Sequence, residues 1–245
     1  MTTATIFRTE TKLFFREPMS VFWLLAFPTI LLVILGSIPS FREAKPDLGG
    51  QRVVDMYVGV TVLLSMIMAA IQTMPAVLST YRERRILRRF RTTPVRPISL
   101  LLTQIGIHLA AVTASTALVL TVGHIAFDCP VPKSLIGYLV AYVLAVLVTF
   151  AIGALITALS PNSRAATAVG MVFFFPSMFT AGVYFPVQTM SGLLHAIVVA
   201  TPHGAAAEAL NSALLGHFPQ WSNLGTMAAW TVVLAAIAAR TFRWE

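Results

Sequence analysis

Six long stretches without Asp, Glu, Lys or Arg constrain this chain more than any other feature: residues 18–41, 56–81, 97–127, 134–163, 165–207 and 209–239. Each exceeds the roughly 20 residues a helix needs to cross about 30 Å of hydrocarbon. With 57% hydrophobic residues over 245 positions, the chain holds more apolar surface than a water-soluble core of that size can hide, so much of it must meet lipid. In lipid every backbone polar group has to be satisfied internally, which leaves helices or closed barrels. Continuous apolar runs without alternation at period two exclude the barrel. The sequence therefore predicts an all-α polytopic membrane protein, with one transmembrane domain over residues 1–245.

Six crossings follow, at about 21–38, 57–78, 99–127, 135–159, 165–185 and 222–239. An even number puts both termini on one side. If that side is the cytoplasm, the inner segments carry Arg8, Lys12, Arg16, the seven arginines of 82–96, Arg164, Arg240 and Arg243. The outer loops then keep only Arg42, Lys45, Arg52 and Lys133. Cytoplasmic loops of membrane proteins collect Lys and Arg, so both termini are expected inside. The formal charge of +8 thus has a topological cause. Inner loops this short cannot fold a basic domain with a base-reading element, which argues against nucleic acid as a partner. Charged, amphipathic sequence precedes the first run and no small-residue cleavage site follows it, as in a retained span rather than a signal peptide. Cys129 is the only cysteine, so an internal disulfide and a cysteine-based metal site are both excluded.

Residues 2–17 read as an amphipathic helix on the inner membrane surface, with Ile6, Phe7, Leu13 and Phe14 on one arc and Arg8, Lys12 and Arg16 opposite. Glu10 and Glu17 project on the apolar side. They are expected to face protein, with an arginine of the inner loops as an available partner, or to snorkel to the headgroups. Pro28, Pro75 and Pro176 fall inside crossings one, two and five, where each removes a backbone donor and kinks its helix. Gly106, Ala110 and Ala114 suit close approach to a neighbouring helix. The run 165–207 is too long for one crossing and is broken by Pro186, Gly192, Pro202 and Gly204. Two full crossings would move Arg240 and Arg243 outside. One crossing and then a re-entrant outer hairpin over 187–216 preserves the charge distribution. Such breaks are tolerated at membrane depth where protein or a cavity covers them.

No G-x-x-x-x-G-K-[ST] phosphate loop, H-E-x-x-H zinc helix or G-x-S-x-G nucleophile elbow occurs. His195, His203, Glu208 and His217 fall in the hairpin at spacings of eight, five and nine. No pair has the i, i+4 spacing of a helical chelate, and polar lining is favoured over a metal site. His108 lies inside the third crossing, as a functional candidate or as a hydrogen-bonded packing residue. Glu208 is the only carboxylate embedded in hydrophobic sequence and no internal repeat is visible, whereas ion-coupled secondary transporters use buried carboxylates and repeats. What remains is a conduit whose energy comes from elsewhere.

The passage YRERRILRRFRTTPVRP holds seven arginines in a chain that is only 11% charged. Over 82–91, Arg82, Arg84, Arg85, Arg88, Arg89 and Arg91 form a broad cationic arc, while Ile86, Leu87 and Phe90 form a narrow apolar one that includes Glu83. Thr92-Thr93-Pro94 stops the helix. Topology needs the positive charge but not the apolar face. That face fits either anionic lipid or a groove in a partner protein.

At these residues the chain resembles a known family. Glu83, Arg84, Leu87, Arg88, Arg89, Arg91, Thr93, Pro94 and Pro97 after the second span are similar to a motif of ABC-2-type permeases, the daunorubicin-resistance-like class of ABC exporters. Gly182, Phe185, Pro186 and Met190 after the fifth span, followed by Pro202, resemble a second. Departures fall at Arg85, Ser191 and Asn211. The resemblance covers the whole chain and implies a permease subunit in a bacterial-type plasma membrane that pairs with a second permease, identical or related, and with two cytoplasmic ATPase subunits. It implies that 82–91 is the coupling helix, with Glu83, Ile86, Leu87, Arg88 and Phe90 at the ATPase. The outer hairpin would be a gate involving Gly182, Phe185, Pro186, Pro202 and Glu208. Phe27, Gln72, Phe174 and Met178 would line a substrate path near spans one, two and five for an amphipathic drug, antibiotic or lipid. This chain would bind no cofactor; ATP and Mg belong on the partner. The competing expectation is a membrane-embedded enzyme acting on a lipid-linked substrate through Glu208 or His203. A subunit that only anchors or assembles others is a third.

Overall fold

The computed structural model describes residues 3–83 and 97–241. Within them the helices of eight or more residues are α1 (Thr3–Phe15), α2 (Pro18–Gly36), α3 (Val53–Glu83), α4 (Pro97–Phe127), α5 (Leu135–Leu159), α6 (Ser163–Thr180), α7 (Gly192–Val199), α8 (Pro202–Leu215) and α9 (Trp221–Thr241). By length and composition five of them can cross a membrane: α2, α3, α4 over Leu101–Phe127, α5 and α9. The pair α7 and α8, bent by 97°, raises the number to six if it counts as one span.

The expected crossing at 165–185 corresponds to α6, which is shorter and less apolar than these five. It has 18 residues and ends at Thr180. Gly182 takes φ 88°, its N–H reaches the Phe179 carbonyl (3.1 Å), and the Val183 N–H reaches that of Met178 (3.0 Å). This is a Schellman termination, and the left-handed position in it suits glycine. Arg164, Pro176 and the hydroxyl residues of α6 also make it less apolar than the five long helices.

α3 is the axis of the bundle. Nearly all of its apolar window is buried, whereas much of α2 and α9 is exposed, the pattern of a central helix ringed by lipid-facing ones. α2, α4, α5, α6 and α8 all pack on it, and α5 makes its most extensive contacts with α9, followed by α3 and α8.

Two of the prolines act through wide turns. Pro28 and Pro75 cannot donate to the carbonyls of Leu24 and Ile71 four residues back. Each of those carbonyls lies in a π-helical segment, Phe22–Ala26 in α2 and Met68–Thr73 in α3. The second wide turn meets glycine on two sides. A Cβ at Gly170 of α6 would sit 3.0 Å from the Ile71 carbonyl oxygen, and one at Gly153 of α5 would overlap that of Ala70. Absence of side chains at these two positions lets α5 and α6 close on the turn.

The small residues of α4 face α1. Phe7 lies 3.8 Å from the position of a Cβ on Gly106, and Ala110 and Ala114 border a cavity of about 270 Å³ with Phe7 and Phe14. At the opposite end of α4, Arg52 bonds Asp55 (2.7 Å) and the carbonyls of Phe127 and Asp128. Cys129 is buried beside this clasp, and burial pushes its thiol up to about 12.

Candidate functional site

The wide turns of α2 and α3 open toward α6, and a cleft of about 680 Å³ lies between the three helices. That volume is within the range of small-molecule pockets, roughly 300–1,000 Å³. Phe27, Gln72, Phe174 and Met178, expected near a substrate path, all line it. Trp23 stands 4.7 Å from Phe27, centroid to centroid, and Phe174 stands 5.6 Å from Phe175, both edge to face. The walls are therefore aromatic and thioether surface, crossed by the Gln72 amide and the Thr73 hydroxyl. Such a surface suits a mainly apolar molecule with few polar groups.

At the end of α3 that leads to the arginine-rich segment, the structure places a collar. The Tyr81 hydroxyl donates to the Glu10 carboxylate of α1 at 2.6 Å, and the Gln104 amide of α4 donates to the same oxygen at 2.7 Å. The Arg82 guanidinium donates to the Ser160 carbonyl (2.9 Å), and the Ser163 hydroxyl donates to Glu83 (2.9 Å). Asn162 caps α6 by accepting from the Ala165 N–H at 2.7 Å, which fixes the loop holding these partners. Glu10 thus faces protein, as its apolar-side position implied. Among the described residues its partners are Tyr81 and Gln104, because α1 lies across the end of α3 and beside α4. Of the expected coupling residues, Glu83 belongs to the collar; Ile86, Leu87, Arg88 and Phe90 lie outside the described residues.

At the other end, the expected gate residues divide into two groups. Gly182 and the buried Pro186 shape the link from α6, while Phe185 is 65% exposed. Pro202 starts α8, and Thr201 joins the two arms of the bend by donating to the Val198 carbonyl (2.6 Å) and accepting from the Gly204 N–H (3.2 Å). A Cβ on Gly204 would overlap that same carbonyl, so the bend has no room for a side chain there. The Trp230 indole of α9 donates to the Ala200 carbonyl at 3.0 Å and ties the bend to the bundle.

The four polar hairpin residues are not one cluster. Glu208 meets His195 at 3.4 Å, whereas the buried His203 meets Thr149 of α5 at 3.2 Å. Among the described residues no group of three or more His, Cys, Asp or Glu gathers at metal-binding distance. Sequence reasoning missed the Tyr81–Gln104–Glu10 collar, the place of Glu17 in the cleft and the two glycines against the wide turn. The apolar-side position of both glutamates was the one available signal.

No curated protein matches the chain. A family model described as ABC-2 type transporter matches residues 2–215. That span takes in α1 through α8, hence the collar, the cleft and the bent pair. The chain belongs to the ABC-2 type transporter family and is a multi-pass membrane permease of the ABC class.

Proposed function

We propose that the chain is the permease subunit of an ATP-driven exporter that moves an amphipathic drug, antibiotic or lipid-like molecule out of the cytoplasm or inner leaflet. In this reading it works in a bacterial-type plasma membrane with both termini cytoplasmic, beside a second permease subunit, identical or related, and two copies of a cytoplasmic ATPase subunit. ATP and Mg sit on that partner. The observation that carries the reading is the continuity of α3. One buried helix lines the cleft at Met68, Gln72 and Thr73 and ends, at Tyr81 to Glu83, in the collar from which the arginine-rich segment leaves. A push on residues 82–91 by the ATPase reaches the cleft through this helix, and its wide turn is the place where it bends. The α7–α8 pair acts as the outer gate. The enzyme reading needs Glu208 or His203 to transfer a proton, and Glu208 is engaged by His195 while the buried His203 is engaged by Thr149.

The test is co-purification of the permease with an ATPase subunit that carries a phosphate loop, followed by Leu87→Arg and Glu83→Ala. Both variants are expected to insert in the membrane at normal levels, with Leu87→Arg losing the ATPase or its substrate stimulation and Glu83→Ala weakening stimulation several-fold. Normal substrate-stimulated hydrolysis in both would remove the coupling role of 82–91.

A further inference from the structure

We infer that the cleft selects lipophilic cations and that Glu17 is the residue that selects them; the inference rests on the transport reading above and names its substrate class. Every residue lining the cleft is neutral except Glu17. Glu17 is exposed at the junction of α1 and α2, and accepts one hydrogen bond, from the Ser20 hydroxyl of its own turn at 3.2 Å. Among the described residues the ion pairs are Arg52–Asp55 and His195–Glu208, and neither involves Glu17. The contrast with Glu10 is informative. Both project from the apolar side of the same amphipathic stretch, but Glu10 is satisfied by Tyr81 and Gln104 and serves the fold, whereas Glu17, among the described residues, bonds only within its own turn and lines the cleft.

Among the described residues this carboxylate pairs with no cation, which leaves it able to receive one from a ligand. The neighbouring wall is suited to the same task. Trp23 is 41% exposed beside Phe27, and aromatic faces attract quaternary and amine cations. Beyond them Met171, Phe174 and Met178 give the apolar length a hydrophobic body needs. An anion of the same shape meets charge repulsion at Glu17 and gains nothing from the aromatic faces. The occupant is a small lipophilic cation, its charge at Glu17 and its apolar body along α6.

The test uses the full chain in nanodiscs of phosphatidylcholine and phosphatidylglycerol, with radiolabelled tetraphenylphosphonium as the probe and tetraphenylborate as its anionic isostere. Uptake into empty discs is subtracted. The expected result is saturable binding of the cation, not competed by the borate, weakened roughly fivefold by Glu17→Gln and retained by Glu17→Asp. Phe174→Ala is expected to weaken binding while leaving the preference for the cation. Saturable binding that falls with Phe174→Ala but not with Glu17→Gln would overturn cation selection and leave the cleft as a substrate site. Binding indifferent to both variants would overturn the cleft reading as well. Loss of probe binding when phosphatidylethanolamine is added would make a lipid amine the occupant, against the proposal. Glu17→Gln is expected to melt at the wild-type temperature, since Glu17 joins no two helices.

Discussion

Gly153→Ala is expected to destabilise the detergent-solubilised protein by about 1–3 kcal/mol, the usual cost of forcing a side chain into a close contact. The added methyl meets the Ala70 carbonyl oxygen and lies 2.9 Å from its carbonyl carbon. Both are backbone atoms of the wide turn in α3, so no rotamer relieves the overlap, and α5 must move away from the bundle axis. Gly225→Ala is the control. It changes the same atoms on α9, where nothing lies within 4 Å, and exchanges a poor helix former for a good one. Thermal melting followed by size-exclusion chromatography should show Gly153→Ala melting several degrees lower and Gly225→Ala unchanged or higher. Equal midpoints for the two variants would mean that α5 does not close on the wide turn.

Glu10→Leu is expected to leave insertion intact and to reduce transport several-fold. The substitution suits the amphipathic pattern of α1 better than the native residue, so an interfacial role alone predicts no loss. What it removes is the acceptor shared by Tyr81 and Gln104, at 2.6 and 2.7 Å, and stranding such groups costs about 1–3 kcal/mol. Tyr81 sits immediately before the segment proposed to receive the ATPase, so the cost falls on the joint between α1, α3 and α4. Glu10→Gln keeps an acceptor oxygen and is expected to recover part of the activity. Transport by Glu10→Leu at the native rate, measured as substrate accumulation in inverted vesicles, would relegate the collar to packing.

The elements were legible where their cause is local. Uncharged runs located α2 to α5 and α9 to within a few residues, since hydrophobic length and the charges at its ends both act along the chain. The break before α8 was visible in Pro202 and Gly204. The end of α6 was not, because a termination at Gly182 depends on φ and on two carbonyls rather than on hydropathy. Side-chain partnership was less legible still. Glu10 and Glu17 share one helical face in sequence and differ only in what the tertiary fold brings against them. Gly153 and Gly170 look like any small residues in an apolar run until the carbonyls of Ala70 and Ile71 arrive opposite. Pro28 and Pro75 announced kinks; that each kink takes the form of a wide turn bordering the cleft required the backbone.

The cleft between α2, α3 and α6 is expected to change its exposure when the proposed partner ATPase turns over. Phe174→Cys places a reporter on its wall, against a background in which the buried Cys129, with a thiol pushed up to about 12, reacts slowly at neutral pH. The direct measurement is the labelling rate of that cysteine by a membrane-permeant maleimide in the assembled transporter, without nucleotide and with ATP and vanadate. A several-fold change in rate that disappears in the Leu87→Arg variant is the predicted result. A rate indifferent to nucleotide, in a complex that still hydrolyses ATP and transports, would rule out coupling between the ATPase and the cleft.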